Sequence, residues 1–211
     1  MLIYPDSRET RERASRVVAE GGLVAFRTDT FYGVGADPFN PSALELINAL
    51  KGRDGKPILV IAADASDAER LLAGRTRTFE LLAARHWPGA LTLVAEARPV
   101  VPGLLTAGTG TVGVRLPEDA EARAVARACG GLLTATSANP AGRPPARTAA
   151  EVAAYFPEGL GLVIDGGATR TELPSTVADV TGPKPRLVRE GVVTRAELEA
   201  TLLAAGMSFE S

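Results

Sequence analysis

Two short segments carry the polar side chains best suited to chemistry. Residues 134–140 read Thr-Ala-Thr-Ser-Ala-Asn-Pro at the end of an apolar run, and Lys51 and Arg53 lie two residues apart after a helical pattern. Hydroxyl and amide groups at a strand end need hydrogen-bonding partners. Together the segments suggest a pocket that holds an anion with cations and orients it with neutral hydrogen bonds, as a nucleotide-handling site requires.

Further polar side chains fall beside the ends of predicted strands, where α/β proteins tend to place ligands. Arg115 lies near the end of an apolar strand, and its planar guanidinium suits a carboxylate. Lys56 belongs to the same basic loop as Lys51 and Arg53. Taken alone, such a loop is more typical of a solvated turn, and a strand-end arginine of a structural ion pair. Other candidates at such edges are residues 28–33, Ser175 and Arg189.

Several familiar catalytic and nucleotide-binding motifs are excluded. Residues 108–113 have the letters of a dinucleotide-binding glycine motif, but residues 112–117 continue as a strand where that motif needs a helix. No P-loop sequence occurs, and a single histidine, His86, offers no Ser-His-Asp arrangement. A metal site would use carboxylates and ligand phosphates, which suits magnesium. This inventory favours two substrates that react with each other while the protein orients them and stabilises charge.

The composition excludes other classes of protein. Of the 211 residues, 45% are hydrophobic and 23% are charged, and the formal net charge is -2. These values are ordinary for a soluble globular protein and lack the basic field of a dedicated nucleic-acid binder. Because the chain shows neither a signal-like start nor a membrane-length apolar run, we expect a cytoplasmic protein.

Short apolar runs alternate with amphipathic helical patterns along the whole chain. This alternation predicts an α/β fold with a mixed sheet, in one domain over residues 1–211. A first helix is expected at residues 7–20, stopped by Gly21 and Gly22. Three pairs have the spacing of helix-starting capping boxes, namely Ser42 with Glu45, Thr148 with Glu151, and Thr194 with Glu197. The predicted strands are 23–26, 58–62, 91–95, 112–115, 132–136, 162–164 and 176–180.

Seven short motifs follow one another between Gly22 and about Gly191. They are Thr-Asp-Thr-Phe-Tyr-Gly (28–33), Lys-Gly-Arg (51–53), Trp-Pro-Gly-Ala-Leu-Thr (87–92), Val-Gly-Val-Arg-Leu-Pro (112–117), Ser-Ala-Asn-Pro-Ala-Gly (137–142), Ser-Thr-Val (175–177) and Leu-Val-Arg (187–189). Each is weak alone, but in this order the set is specific. The chain resembles the YrdC-like threonylcarbamoyl-AMP synthases over most of its length, with a C-terminal helix and tail at 192–211.

The resemblance implies an ATP-dependent nucleotidyl transfer, the first step in the threonylcarbamoyl modification of adenosine in tRNA. Threonine's amine would take up carbon dioxide from bicarbonate, and the carbamate would attack the α-phosphate of ATP and release pyrophosphate. An anion that attacks an anionic phosphate needs cations and Mg²⁺ to offset repulsion. The family's twisted mixed sheet surrounds a positively charged cavity, and downstream tRNA threonylcarbamoyl-transfer machinery would be a partner.

The resemblance also assigns site residues, with Lys51 and Arg53 as the catalytic pair. Arg115 would pair with the threonine carboxylate, and magnesium would arrive on the ATP phosphates without an assigned protein ligand. The nucleotide would be bound by Lys51, Arg53, Lys56, Thr111, Ser137, Asn139 and Arg189. Threonine would be bound by Thr30, Arg115, the backbone of Ala135, and Ser175.

The chain departs from the family pattern in four places. The spacing from Arg53 to Lys56 is one residue short, and no histidine occurs near Ile61, where many members carry one. Pro144 and Pro145 occupy a region that often contains a serine. Longer members add a C-terminal domain, so we expect a short, single-domain form.

Two other functions remain open from the sequence. A double-stranded RNA or tRNA binding module without catalysis could use the same basic cavity, although the near-neutral net charge argues against it. A related carbamoyl-adenylating enzyme, of the sort embedded in hydrogenase-maturation proteins, would act on carbamoyl phosphate. Such enzymes are much larger and cysteine-bearing, whereas this chain has one cysteine, Cys129.

Overall fold

A computed structural model describes residues 3–52 and 55–210. The helices of this part of the chain are α1 (Arg8–Ala19), α2 (Pro41–Lys51), α3 (Ala65–Ala68), α4 (Arg77–His86), α5 (Gly103–Thr106), α6 (Ala120–Ala128), α7 (Ala149–Tyr155) and α8 (Arg195–Leu203). The strands are β1 (Ile3–Pro5), β2 (Val24–Arg27), β3 (Tyr32–Gly35), β4 (Val60–Ala62), β5 (Leu91–Glu96), β6 (Thr111–Arg115), β7 (Leu132–Thr134), β8 (Thr136–Ser137), β9 (Leu162–Asp165), β10 (Thr176–Asp179) and β11 (Arg186–Arg189).

These strands form two mixed sheets. The five-stranded sheet has the order β1-β9-β2-β3-β8, with parallel pairs at β1/β9 and β9/β2 and antiparallel pairs elsewhere. The six-stranded sheet has the order β11-β10-β5-β6-β4-β7, with parallel pairs at β10/β5 and β6/β4. The predicted mixed α/β class is therefore confirmed, with its strands divided between two sheets.

One predicted strand, residues 132–136, is in fact two. Its first part, β7, pairs with β4 in the six-stranded sheet, whereas β8 pairs with β3 in the five-stranded sheet. Ala135 lies at the crossing, and its backbone N–H donates to the Leu59 carbonyl at 2.8 Å. The small and hydroxyl side chains of this segment thus stand where the two sheets meet.

The helix-start predictions are confirmed for α7 and α8 and wrong for α2. Thr148 and Thr194 form capping boxes with Glu151 and Glu197. Helix α2 instead begins after Asn40, whose side chain accepts from the Ala43 N–H at 3.3 Å. Pro41 explains the difference, because its fixed φ and missing N–H favour the first helical position, which places the cap at Asn40, two residues before Ser42.

Helix α1 also matches its prediction. Ser7 caps its start by accepting from the Thr10 N–H, and Gly21 follows its end with a φ of 82°. A positive φ of this size favours glycine, as expected of a helix stop.

The hydrophobic core consists of two buried clusters, and residues of both sheets contribute to it. One buried cluster combines Tyr32 and Val34 of the five-stranded sheet with Leu93 and Val114 of the six-stranded sheet. A second cluster is covered by α1 and α6, which pack against each other. None of the helices formed by residues 3–52 and 55–210 has the length and hydropathy needed to span a bilayer.

Candidate functional site

A cavity of about 240 Å³ opens where the two sheets meet. The five-stranded sheet contributes β3 and β8 to its wall, and the six-stranded sheet contributes β4, β5, β6 and the end of β11, with Ser175 directly before β10. Because rigid strands from both sheets border it, the positions of its polar groups are set by the fold. Seven of the predicted site residues line it, namely Thr30, Lys56, Arg115, Ala135, Ser137, Ser175 and Arg189.

Lys51 lies directly beneath one wall of this cavity. It ends helix α2, is 4% exposed, and donates its ammonium to the backbone carbonyl of Ser137 and, at 2.6 Å, to that of Asn139. In return, the Ala141 N–H donates to the Lys51 carbonyl at 2.9 Å. The cation therefore fastens the 137–141 loop, and its contact with nucleotide phosphates stays a prediction.

Two further predicted residues, Thr111 and Asn139, are not among the described residues that line the cavity. Thr111 begins β6, and its hydroxyl lies 2.9 Å from that of Thr109. The Asn139 amide donates to the Arg143 carbonyl at 2.6 Å, which closes the loop after β8. Their nucleotide contacts stay predictions, as does the role of Arg53, which lies outside the described residues.

Arg115 is held at the end of β6 by the turn that joins β2 to β3. Its Nη1 donates to the Asp29 Oδ1 at 2.8 Å, and its Nη2 lies 3.4 Å from the hydroxyls of Thr28 and Thr30. The side chains of Arg115 and Asp29 are only 7% and 12% exposed. The sequence placed Asp29 in the first motif without giving it a role. Its position in a Thr-Asp-Thr run at a strand end was the available signal.

Ser175 and Arg189 lie next to each other in the cavity lining. The Ser175 hydroxyl lies 3.0 Å from that of Thr92, and the Arg189 Nη2 donates to the Ser175 carbonyl at 2.9 Å. Although Arg189 as a whole is exposed, partial burial of its guanidinium and the nearby charge of Arg115 lower its pKa. The two guanidinium groups thus repel each other, and an anion between them would relieve that repulsion.

The described lining carries three cationic side chains and no carboxylate. Lys56, Arg115 and Arg189 supply the charge, while hydroxyls from β5, β8 and the β2–β3 turn supply neutral donors and acceptors. Among the described residues, no group of three or more His, Cys, Asp or Glu side chains could hold a metal ion. Such a lining suits one or more anionic ligands oriented by short hydrogen bonds.

Two of the four departures noted in the sequence also lie at the cavity. Ile61, near which sequence analysis expected a histidine in other members, is 1% exposed and lines the wall. Pro145 lines it on the opposite loop. The site is therefore partly apolar at these two positions. The lining residues that lie outside the motifs and candidates named from the sequence are Pro57, Leu59, Val60 and Pro174.

Residues 16–191 match the family model Sua5_yciO_yrdC, which carries the description telomere recombination. The chain belongs to the Sua5/YciO/YrdC family. This confirms the family resemblance inferred from the seven motifs.

Curated relatives in this family carry the name threonylcarbamoyl-AMP synthase. The Pyrococcus abyssi relative is 37% identical and the Bacillus subtilis relative 35% identical, each over 90% of this chain. The chain spans only 56% of the length of either. The Halorhodospira halophila relative is 35% identical over 83% of this chain and is itself covered over 93% of its length.

Solved structures of the Sua5/YciO/YrdC family share this fold. P. abyssi Sua5 complexed with L-threonine superimposes with a TM-score of 0.93 at 33% identity, covering 100% of this chain and 63% of that one. Escherichia coli YciO superimposes with a TM-score of 0.81 at 26% identity, covering 90% of this chain and 96% of that one.

Proposed function

We propose that this chain forms L-threonylcarbamoyl-AMP from L-threonine, bicarbonate and ATP, with release of pyrophosphate. The observation that carries the proposal is the cavity between the sheets, whose described lining combines Lys56, Arg115 and Arg189 with hydroxyl groups and lacks a carboxylate. Relatives named threonylcarbamoyl-AMP synthase at 35–37% identity support the same activity.

Threonine would bind on the side of the cavity formed by Arg115. The buried Arg115 guanidinium, which lies near a second arginine, would bind the threonine carboxylate. The hydroxyls of Thr30 and Ser175 also line the cavity and would orient the rest of the threonine molecule. The complex of P. abyssi Sua5 with L-threonine supports an amino-acid site in this fold.

ATP would bind toward Lys56 and Ser137, with Arg189 completing that side. Magnesium would enter as the MgATP substrate. Because the described lining offers hydroxyls but no carboxylate, the ion would be held by phosphate oxygens and water and not by a carboxylate cage.

In the proposed reaction the side chains would mainly orient the substrates and stabilise charge. The carbamate of threonine is an anion that must approach an anionic phosphate, so the lysine and arginine side chains offset the repulsion while the strands hold both reactants in line. Carbamates decompose in water, and a cavity bordered by Ile61, Phe31 and Pro145 limits the access of solvent. The product would pass, in the cytoplasm, to the machinery that transfers the threonylcarbamoyl group to tRNA.

The test is pyrophosphate release from MgATP with threonine and bicarbonate added separately and together, and with serine in place of threonine. We expect pyrophosphate release to require both threonine and bicarbonate, and to be faster with threonine than with serine. An absence of release under every combination would overturn the proposal, and tRNA binding would then be measured to test the RNA-binding alternative.

A further inference from the structure

The two sheets are joined at the cavity by an ion pair whose acidic member, Asp29, has no part in the proposed reaction. Asp29 lies in the β2–β3 turn of the five-stranded sheet, and Arg115 ends β6 of the six-stranded sheet. Their 2.8 Å contact is shielded from water on both sides, with 12% and 7% of the side chains exposed. An ion pair in such surroundings is screened much less than one at the surface.

The turn that carries Asp29 is itself firmly held. The Thr28 hydroxyl donates to the Phe31 carbonyl at 2.8 Å and accepts from the Thr30 N–H at 3.2 Å. The Thr28 N–H also donates to the Phe31 carbonyl, at 3.1 Å. Asp29 therefore presents its carboxylate from a fixed backbone, which is the condition for orienting a flexible arginine.

Asp29 contacts the Arg115 guanidinium without itself lining the cavity as described. Arg115, Thr28 and Thr30 line the cavity, whereas Asp29 is not among the described residues that do. Its Oδ2 is buried and has no hydrogen-bond partner among the described residues, so Arg115 is the group that compensates its charge. A carboxylate in this position holds Arg115 without competing for the open side of the cavity.

Arg115 needs such an anchor because a second cation is nearby. The charge of Arg115 disfavours the protonated form of Arg189, so the two guanidinium groups repel each other before a ligand arrives. A buried arginine without a partner would turn away or bind a stray anion, since an uncompensated buried charge is costly.

We infer that Asp29 is a positioning residue for amino-acid recognition, which fixes the Arg115 guanidinium so that its free edge meets the substrate carboxylate. The inference rests on the proposed function. It predicts an effect on threonine that is separate from any effect on ATP, because the pair lies on the threonine side of the cavity.

The experiment compares Asp29→Ala, Asp29→Asn and the control Asp6→Ala by steady-state pyrophosphate release. Asp6 is a good match because its 9% exposed side chain pairs with Arg11 at 2.6 Å, and it is not among the described residues that line the cavity. We expect Asp29→Ala to raise the KM for threonine at least about tenfold, with kcat and the KM for ATP changed by less than about threefold. Asp29→Asn, which keeps an acceptor for Arg115, should recover most of the loss, and Asp6→Ala should leave the KM for threonine unchanged.

An unchanged KM for threonine in Asp29→Ala would overturn the inference, as would an equal rise in the KM for ATP. If the wild-type chain releases no pyrophosphate, the proposed reaction fails, and threonine binding is then measured directly by calorimetry. About tenfold weaker threonine binding to Asp29→Ala than to Asp6→Ala would sustain the role of Asp29. Equal binding, or no threonine binding by the wild type, would overturn it.

Discussion

The ammonium of Lys51, at the end of helix α2, donates to the backbone carbonyl of Asn139 at 2.6 Å. The same group donates to the Ser137 carbonyl, so one buried cation holds both ends of the Ser-Ala-Asn segment. The cation predicted to meet the nucleotide is therefore also the one that shapes the loop carrying its hydrogen-bonding partners. Loss of this charge should disturb the loop and the reaction together.

Lys51→Met should keep the aliphatic stem but leave two loop carbonyls without their donor. We expect kcat/KM for ATP to fall at least about tenfold, and the free energy of unfolding to fall by about 1–3 kcal/mol. Pyrophosphate release and thermal melting measure the two effects. Lys184→Met, which removes an exposed lysine, is the matched control. Wild-type kinetics in Lys51→Met would contradict the role in the reaction, and an unchanged melting temperature would contradict the role in holding the loop.

Ser137→Ala removes a hydroxyl from the cavity wall but leaves the backbone carbonyl that accepts from Lys51. We expect nucleotide binding to weaken by about 1–3 kcal/mol, because a polar partner is lost from a buried hydrogen bond. Calorimetric titration with a non-hydrolysable ATP analogue measures the loss. The melting temperature should hardly change. A large drop in melting temperature with unchanged affinity would assign Ser137 to the fold alone.

Gly191→Ala should separate the two segments that form the Ser175 side of the cavity. A Cβ at this position would collide with the Pro174 carbonyl oxygen, and both groups are backbone-fixed because the Val192 N–H donates to that carbonyl at 2.9 Å. We expect a loss of about 1–3 kcal/mol in stability, typical of overpacking, and a raised KM for threonine. Gly74→Ala is the control, since its Cβ would meet no described atom within 4 Å. Equal stability and an equal KM for threonine in Gly191→Ala and Gly74→Ala would contradict the predicted collision.

Folding stability should depend on pH through the chain's single histidine, His86. Partial burial and the nearby charge of Arg85 lower its pKa below the ordinary 6.5, against the opposing effect of Glu197. The unfolded chain therefore binds a proton more readily than the folded one, so stability is full above pH 6.5 and falls as the pH drops below it.

The measurement is denaturant unfolding between about pH 7.5 and about pH 5.5, a range in which carboxylates stay ionised. His86→Gln should flatten the dependence. Glutamine also keeps a donor for the Thr201 hydroxyl, which lies 2.9 Å from the His86 Nε2 and itself donates to the Glu197 carbonyl. An equal slope in the variant would place the pH dependence elsewhere.

Much of the fold could be predicted from local signals. The helix at 7–20, two capping boxes and seven strand positions follow from hydrophobic spacing and cap chemistry, which act over a few residues. The strands that went unpredicted lack that signal. Strand β3 contains Gly33 and Gly35, and it forms because β2 and β8 pair with it on either side. Strand β11 is exposed at most of its positions, and its apolar pattern is weak.

The sequence was enough to predict which residues form the site, but not how those residues contact one another. Arg115 and Ser175 fall in short motifs, so their types and order suffice to name them. The partnership of Arg115 with Asp29 joins positions 86 residues apart, and that of Lys51 with Asn139 joins positions 88 residues apart. No spacing along the chain reveals such pairs, because they depend on how the two sheets are brought together.

The chain passes from one sheet to the other at Ala135, and this affects how the protein unfolds. A single run of six residues, 132–137, supplies an edge strand to each sheet, with one residue between the two. Neither sheet can open along this edge without pulling on the strand that completes the other, so we expect both to melt as one cooperative unit. The cavity would vanish in that same event, and heat inactivation should follow the global transition without a separate, earlier loss of the site.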